Sequence, residues 1–442
     1  MRPIIYISGI GMAVALVGLL AASCSESAVG PETTDATDAR VVDPRDGGRL
    51  DAAADARDAN VSVDAGELDI PGEWEKIQAS PGSCPLWTLR DASVIPPLPW
   101  KACANGRPDC RFFSADWEER GVVWGFMPWG NDPVHERSGD PRVAYVRGTR
   151  HQSKFLYFVV QSMEGQAHAA YAAYAPTCAS MFGASQHGFA MGLYSETEGG
   201  FLGFAPPTAP GAMTFAKATI EPTLDAFSGT TPLANGILVE QVAFGTRNHS
   251  ARYDLQTKTF YGPGIISEQP VKLGEGFIAL MATSPPAIAY VPPAGGYQTL
   301  RRAAPGHQFF TLTVDHDTSA IVWAEDDGNE NMTIWTSPAA TTEAAMQPRR
   351  VAKLRFVSKI VARNGVIAIR PNEGLARLIR LSDGMGWDLP TDNGLEFVNP
   401  LWLNEEAVWF LASRRYNGGF PINSGIRYAR NALGPPTVPS GL

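Results

Sequence analysis

Beyond position 73 the chain is a succession of short apolar segments separated by polar turns. No long stretch carries the 3.6-residue apolar repeat of a capped amphipathic helix. A two-part unit recurs instead: a short apolar strand, a turn, then a second strand of alternating character. The pattern predicts paired strands at 122–126 with 143–146, 155–159 with 169–174, 187–193 with 201–204, and 237–244 with 251–255. The series continues at 277–281 with 288–291, 320–324 with 332–335, 366–369 with 376–379, and 407–411 with 426–428. The first strands of these couplets are spaced 32 to 50 residues apart, settling at 40 to 46 over the last four.

One small sheet cannot bury both of its faces, whereas sheets stacked around an axis cover one another. Repeats of this length, each supplying a four-stranded antiparallel sheet, predict an all-β fold: a seven- or eight-bladed β-propeller over residues 73–442. Eight couplets give eight blades; seven result if the crowded couplets at 155 and 187 share one blade. Two stacked β-sandwich domains are the rival architecture. The clearest copy of the unit is Thr313-Val314-Asp315-His316-Asp317-Thr318-Ser319-Ala320-Ile321-Val322-Trp323-Ala324-Glu325-Asp326-Asp327-Gly328-Asn329, followed by Met332-Thr333-Ile334-Trp335. It resembles the repeat of TolB-type propellers, in which a strand, an Asp-containing turn, an apolar strand, an Asp-Gly turn and an aromatic-ended strand follow one another. Asn364-Gly365-Val366-Ile367-Ala368-Ile369 with Leu378 to Gly384 is a shorter copy. The resemblance implies a fold and leaves the chemistry open.

The N-terminal 72 residues read differently. Arg2 is followed by an apolar run from Ile4 to Leu20 and then by Leu20-Ala21-Ala22-Ser23-Cys24. Small residues before a cysteine at the end of such a run resemble the lipobox of bacterial lipoproteins. The resemblance implies that residues 1–23 are a cleaved signal peptide and that Cys24 carries the lipid, each buried CH₂ contributing about 0.8 kcal/mol to membrane anchoring. Ser25, in place of an aspartate, implies the outer membrane. Residues 24–72 are rich in Asp and Ala, contain no aromatic residue and hold no sustained period. Such a segment predicts a disordered acidic tether, spanning roughly 35 to 40 Å as a flexible coil.

Composition adds constraints. Gly 44 and Pro 35 are high for 442 residues, as turn-rich β-structure requires. The net charge is −9 and no basic segment interleaves with aromatics, which argues against nucleic acid as a partner. Setting Cys24 aside, Cys84, Cys103, Cys110 and Cys178 form an even set, read as two disulfides with three possible connectivities. The sequence-local choice pairs Cys103 with Cys110, across a short polar turn, and Cys84 with Cys178. The absence of a Cys-x-x-Cys pair and the scattering of the seven histidines point away from zinc. No metal site and no cofactor is expected.

Candidate chemistry is sparse. Asp315-His316-Asp317 has the groups to hold a metal or move a proton, yet it falls where the repeat places a turn whose Asp accepts backbone N–H bonds. The oxygen-rich run Glu325 to Asn331 reads as a hairpin loop with Gly328 left-handed, ahead of a calcium loop. Trp87, Trp100, Trp117, Trp124, Trp129, Trp323, Trp335, Trp387, Trp402 and Trp409 suit inter-blade packing more than a glycan platform. Hydrolase and phosphate-loop motifs are lacking, so no catalytic residue is assigned. The sequence therefore predicts a membrane-anchored envelope lipoprotein whose propeller is a non-catalytic scaffold for a protein or glycan. The alternative is an extracellular glycosidase or lyase with acids at the propeller channel.

Overall fold

Strands of period two have two faces to bury, and this chain buries them by stacking sheet on sheet. The structure is a computed structural model. It describes residues 72–97, 100–103, 107, 110–114, 122–125, 142–149, 155–162, 166–174, 179–185, 187–195, 198–217, 226–243, 247–329, 331–355, 357–371, 376–389, 396–414 and 422–438. The leader, the tether as far as residue 71, Cys24 and Cys178 lie outside these residues. The described residues contain no α-helix; their strands form seven antiparallel sheets.

Five sheets are four consecutive strands in chain order, the blades numbered second to sixth here. They comprise Ala179–Ser185 to Thr214–Lys217, Ala226–Leu233 to Phe260–Tyr261, Ser267–Leu273 to Gln298–Arg302, Gln308–Asp315 to Arg349–Arg355, and Val357–Arg363 to Gly386–Leu389. The first blade holds Val122–Gly125, Arg142–Thr149, Phe155–Ser162 and Ala167–Tyr174, with Leu86–Leu89 and Trp74–Lys76 added on its outside. The seventh holds Glu396–Leu403, Ala407–Arg414 and Ile422–Ala429, and is completed by Cys110–Ser114 and Lys101–Ala102 from the other end of the chain.

Seven hydrophobic clusters show that these sheets form a ring. Phe158 and Tyr171 of the first blade pack with Phe182 and Phe189 of the second. Ala190 and Leu202 then meet Phe227 and Val239, and Leu233 and Leu238 meet Phe277 and Ala289. Ile278 and Leu300 meet Leu312 and Trp323, Val322 and Ile334 meet Ile360 and Ile367, and Ala368 and Leu378 meet Phe410 and Ile426. The seventh cluster joins Ala407 and Trp409 of the last blade to Phe155, Tyr157 and Trp87 of the first. Every core thus spans two neighbouring blades, and the series returns to its start. That is a seven-bladed β-propeller, and it excludes two stacked sandwiches. At roughly 1.5–3 kcal/mol per fully buried large apolar side chain, these inter-blade cores are the main source of cohesion.

The count of seven comes from a different merger than the spacing suggests. The couplets at 122 and 155 are the inner and outer halves of the first blade, whereas the couplet at 187 lies wholly in the second. Elsewhere a couplet is the second and third strand of a blade.

The ring closes through the pairing of Cys110–Ser114 with Ile422–Ala429, in register from Cys110 opposite Tyr428 to Ser114 opposite Ser424. A disulfide links Cys103 to Cys110, so the closing strand is bonded to the edge strand beside it. This is the pairing the sequence favoured. Cys84, just ahead of Leu86–Leu89, is also disulfide-bonded; Cys178, its expected mate, lies outside the described residues.

On one face of the disc the turns between first and second strands hold adjacent blades together. Asp315 Oδ1 accepts from the Asp317 and Thr318 amides, its Oδ2 accepts from Thr318 Oγ1 at 2.8 Å, and the same oxygen accepts from the Gly365 amide of the next blade at 2.6 Å. Asp317 forms an ion pair with Arg363 at 2.6 Å. Asn364 donates from Nδ2 to Glu405 of the seventh blade at 2.7 Å. Asn364 and Gly365 have φ of 48° and 70°, the left-handed pair that a two-residue hairpin demands.

Candidate functional site

The first strand of each blade is the innermost. First strands meet one another between the second and third blades and from the fourth blade through to the seventh, while the first strand of the fourth blade meets the second and third strands of the third. Accessible surface on these inner strands is reached through the central channel or its mouths, because the rest of the blade lies between them and the rim.

In five consecutive blades one extra residue interrupts the pairing of this inner strand with the second strand. The interruptions lie between Phe227 and Gly229, Glu268 and Val271, Phe309 and Thr311, Val357 and Ile360, and Phe397 and Asn399. Each falls within the first four residues of its strand, so the bulges share one level at one mouth of the channel. A bulge leaves its extra residue out of the ladder and re-aims it, which is why bulges gather at barrel rims and beside active sites.

Gln269 shows how such a bulge is held. Its φ is 53°, uncommon for a residue with a side chain. Three hydrogen bonds offset the strain: its amide donates to Glu240 Oε1 at 3.3 Å, its Nε2 donates to the Phe310 carbonyl at 3.1 Å, and its Oε1 accepts from the Leu312 amide at 3.1 Å. One side chain thereby ties the inner strands of the fourth and fifth blades at the level of both bulges.

The partly accessible inner-strand residues include Thr231, Glu268, Lys272, Phe310, Thr313 and Lys359. Two of the three charged ones carry perturbed pKa values. Burial pushes the Glu268 carboxyl up, against the pull of a hydrogen bond with the Asn248 side chain. Burial pulls the Lys359 ammonium down from 10.5 to about 8, and no described carboxylate contributes to offset it. Lys359 keeps accessible surface yet behaves electrostatically as a buried group. A group enclosed by protein on its flanks but open along an axis has both properties. Beyond the bulge that contains Lys359, Ile360 and Ala362 pack toward the fifth blade and Val361 toward the seventh.

This desolvation sets a pH-dependent stability. The unfolded chain keeps the Lys359 proton up to about 10.5 and the folded chain releases it near 8, so stability rises with pH across that window. Lys359→Met is expected to stabilise the protein at pH 7 by about 1–2 kcal/mol, discounted for solvent in the channel. The variant should also lack the rise between pH 8 and 10.5. Denaturant titrations at pH 7 and pH 10 measure both, and an equal pH dependence in the two proteins would refute the assignment.

The residues singled out from sequence are dispersed. Asp315 and Asp317 belong to the inter-blade turn described above. The loop from Asp326 to Asn331 is a hairpin whose acids cap its own backbone: Asp326 Oδ1 accepts from the Gly328 amide at 3.0 Å and Asp327 Oδ1 from the Asn329 amide at 2.9 Å, with Gly328 at φ 79°. The Asn329 bond holds the Asp327 carboxyl below its ordinary range, with Lys353 at 3.2 Å adding to the effect. Trp87, Trp323 and Trp409 are buried in inter-blade clusters, and Trp100 packs against one. Trp323 and Trp409 occupy second strands of their blades, and Trp124 lies in a first strand. Trp335 stacks on Trp323, and Trp387 donates its indole N–H to the Gly434 carbonyl at 2.9 Å. Trp402 pairs with Trp409 in the seventh blade, whereas Trp117 and Trp129 lie outside the described residues.

Sequence reading missed Glu268, Gln269 and Lys359. The available signal was a polar residue inside an apolar strand, as in Val357-Ser358-Lys359-Ile360-Val361, since Lys and Glu rarely occupy such positions without a reason.

No family model and no curated protein matches this chain. Among solved structures it is similar to an oligogalacturonate lyase in complex with manganese, with a TM-score of 0.51 at 9% identity over 76% of this chain and 98% of that one. It is also similar to the Swd1 β-propeller domain of Myceliophteria thermophila (TM-score 0.41, 10% identity, 70% and 99% covered). A prolyl endopeptidase structure matches with a TM-score of 0.42 at 11% identity, over 67% of this chain and 47% of that chain. At these identities the likeness concerns the fold alone.

Proposed function

We propose that this chain is an exported lipoprotein that displays a seven-bladed propeller at the cell envelope as a scaffold for a protein or glycan ligand. The observation that carries the reading is where the N-terminal segment joins the disc. Trp74–Lys76 is the outermost of six strands in the first blade. A tether running back from Trp74 to a lipid on Cys24 leaves from the circumference, so both faces and both channel mouths stay clear for a ligand. The acidic, apolar-poor composition of residues 24–72 fits a leash that gives the disc reach and rotational freedom. The TolB-like strand pattern and an outer-membrane address belong to the same reading.

Cys24→Ala is the direct test. The wild type should incorporate radiolabelled palmitate and partition with membranes, and the variant should do neither while keeping the unfolding midpoint of the folded domain. Membrane retention of the variant, without label, would favour an uncleaved anchor over a lipid. Crosslinking in intact envelopes followed by pull-down then identifies the ligand class.

A further inference from the structure

We propose that the rim of the fourth and fifth blades is a docking surface for an anionic lipid bilayer, so that the anchored disc stands on edge against its membrane. The inference rests on the reading that the chain is held at a membrane, and it assigns the contact and the posture.

The outermost strands of these two blades, Gln298–Arg302 and Arg349–Arg355, have 5 and 7 residues. They hold Arg301, Arg302, Arg349, Arg350, Lys353 and Arg355 and no acid. The whole chain has 36 Lys and Arg in 442 residues and a net charge of −9, so this is a local concentration of the opposite sign. All but Arg301 are exposed. The turn Glu343–Ala345, which leads into Arg349–Arg355, touches Gln298–Arg302, so the two strands belong to one area of the rim. Three described acids adjoin it: Glu325 holds Arg301, Asp327 holds Lys353, and Glu343 lies in the connecting turn. The area stays positive. Arg349 donates to the carbonyls of Leu381 and Ser382 in the sixth blade, which fix its guanidinium without neutralising it. Glu330, the residue of these blades outside the described ones, precedes Asn331, the partner of Arg355. Arg350 lies about 15 Å of strand away from that end.

Edge strands commonly carry Lys or Arg to repel other strands, and the bulge at Val351 serves the same end. A guard works with charge of either sign, however, and an acidic chain is guarded as well by more acid. Uniform positive charge is explained by a negative partner, and anionic headgroups attract such groups within about a Debye length. Two observations select a bilayer over an anionic glycan. Tyr297, 40% exposed, immediately precedes Gln298–Arg302, and amphipathic rings of this kind settle at headgroup level. The strands also lie on the circumference of a ring, a convex surface that suits a plane, whereas small ligands and sugars are held in clefts. Residues 24–72 can extend to roughly 160 Å, enough to reach from a lipid on Cys24 to Trp74 in the first blade while the fourth and fifth blades, across the ring, rest on the surface.

Partitioning of the full-length protein into phosphatidylglycerol vesicles and into phosphatidylcholine vesicles, measured by flotation, tests the proposal. Leader and lipid contribute to both, so the ratio of the two partition coefficients reports the rim. The ratio should be about ten or more at low salt and fall toward one as salt rises. Arg302 and Arg350 make no hydrogen bond or ion pair among the described residues, so Arg302→Glu with Arg350→Glu keeps the fold and a charged edge. That pair should lower the ratio by at least about tenfold. Lys217→Glu with Lys258→Glu, at exposed positions of the second and third blades, changes the net charge equally and should leave the ratio as it was. A wild-type ratio of one, or an equal drop with both pairs, would overturn the inference. So would binding of polygalacturonate that depends on Arg302 and Arg350 in a protein without lipid preference, which assigns the rim to a glycan. Lipid attachment at Cys24 is measured by label, so failure of this contact and failure of the anchored reading are distinguishable.

Discussion

Ile426→Asp is expected to abolish the closed ring, with a loss of at least about 4 kcal/mol in stability. Ile426 is fully buried in the core between the sixth and seventh blades, and on its own sheet it lies between Phe410 and Phe112. Phe112 belongs to the strand that returns from the N-terminal side to complete the last blade. A carboxyl there is buried without a partner and disturbs a blade interface and the closing seam together. Ile426→Val removes one methylene and should cost only about 0.5–1.5 kcal/mol. Urea unfolding of both variants, with limited proteolysis to reveal the freed N-terminal strand, reports the difference. If the aspartate variant unfolded at the valine variant's midpoint, the seam would not be what holds the ring.

Trp323→Ala should cost about 3–5 kcal/mol, the range for deleting a large aromatic from a close-packed core. The indole is fully buried between the fourth and fifth blades and stacks on Trp335 at 6.5 Å between ring centroids. The Arg301 guanidinium lies 5.5 Å from its ring and 5.2 Å from that of Trp335, and pairs with Glu325 at 3.0 Å. Removing one ring leaves the cation half of its aromatic contact, a further loss of about 0.5–2 kcal/mol that the total includes. Trp387→Ala, in an outer strand, should cost less than half as much. Equal losses at the two sites would mean that inter-blade packing does not set the value of these tryptophans.

Much of the fold could be read from the chain because an inter-blade core imposes a local pattern. Strands such as Ala320–Asp326 and Val366–Pro371 are apolar on both faces, since each is covered by a blade on either side, and they stand out as runs. The outer strands are harder to see. Phe260–Tyr261 has two residues and Gly386–Leu389 four, and Phe260, Tyr261, Trp387 and Asp388 are only partly buried, so alternation is weak. For that reason couplets and not whole blades emerged, and the two couplets of the first blade were counted apart. The closing strand was illegible for another reason. The pairing of Cys110–Ser114 with Ile422–Ala429 joins segments at opposite ends of the sequence, and nothing local encodes it. The Cys103–Cys110 disulfide was legible because it closes a short polar turn.

The channel mouth was the least legible part. A bulge is a property of two strands in register, and the pattern of a single strand does not show which residue has no partner. The aspartates of the 313–329 repeat drew notice because they are conspicuous in the sequence, and their conspicuousness reflects turn chemistry. Lys359, embedded among apolar neighbours, acquires its meaning from enclosure, which only the assembled ring creates.

The seam also dictates an order of events as the protein is made. Blades two to six are each built from consecutive strands and can form in chain order as those strands become available, N-terminal ones first. The last blade has to wait: Cys110–Ser114 pairs on one edge with Lys101–Ala102, and its other edge stays open until Ile422–Ala429 is in place. A chain truncated before residue 422 therefore keeps bare sheet edges on both sides of an open gap, the kind of surface that recruits other chains. Synthesis is proofread by geometry, since only the finished polypeptide can hide its first sticky strand with its last.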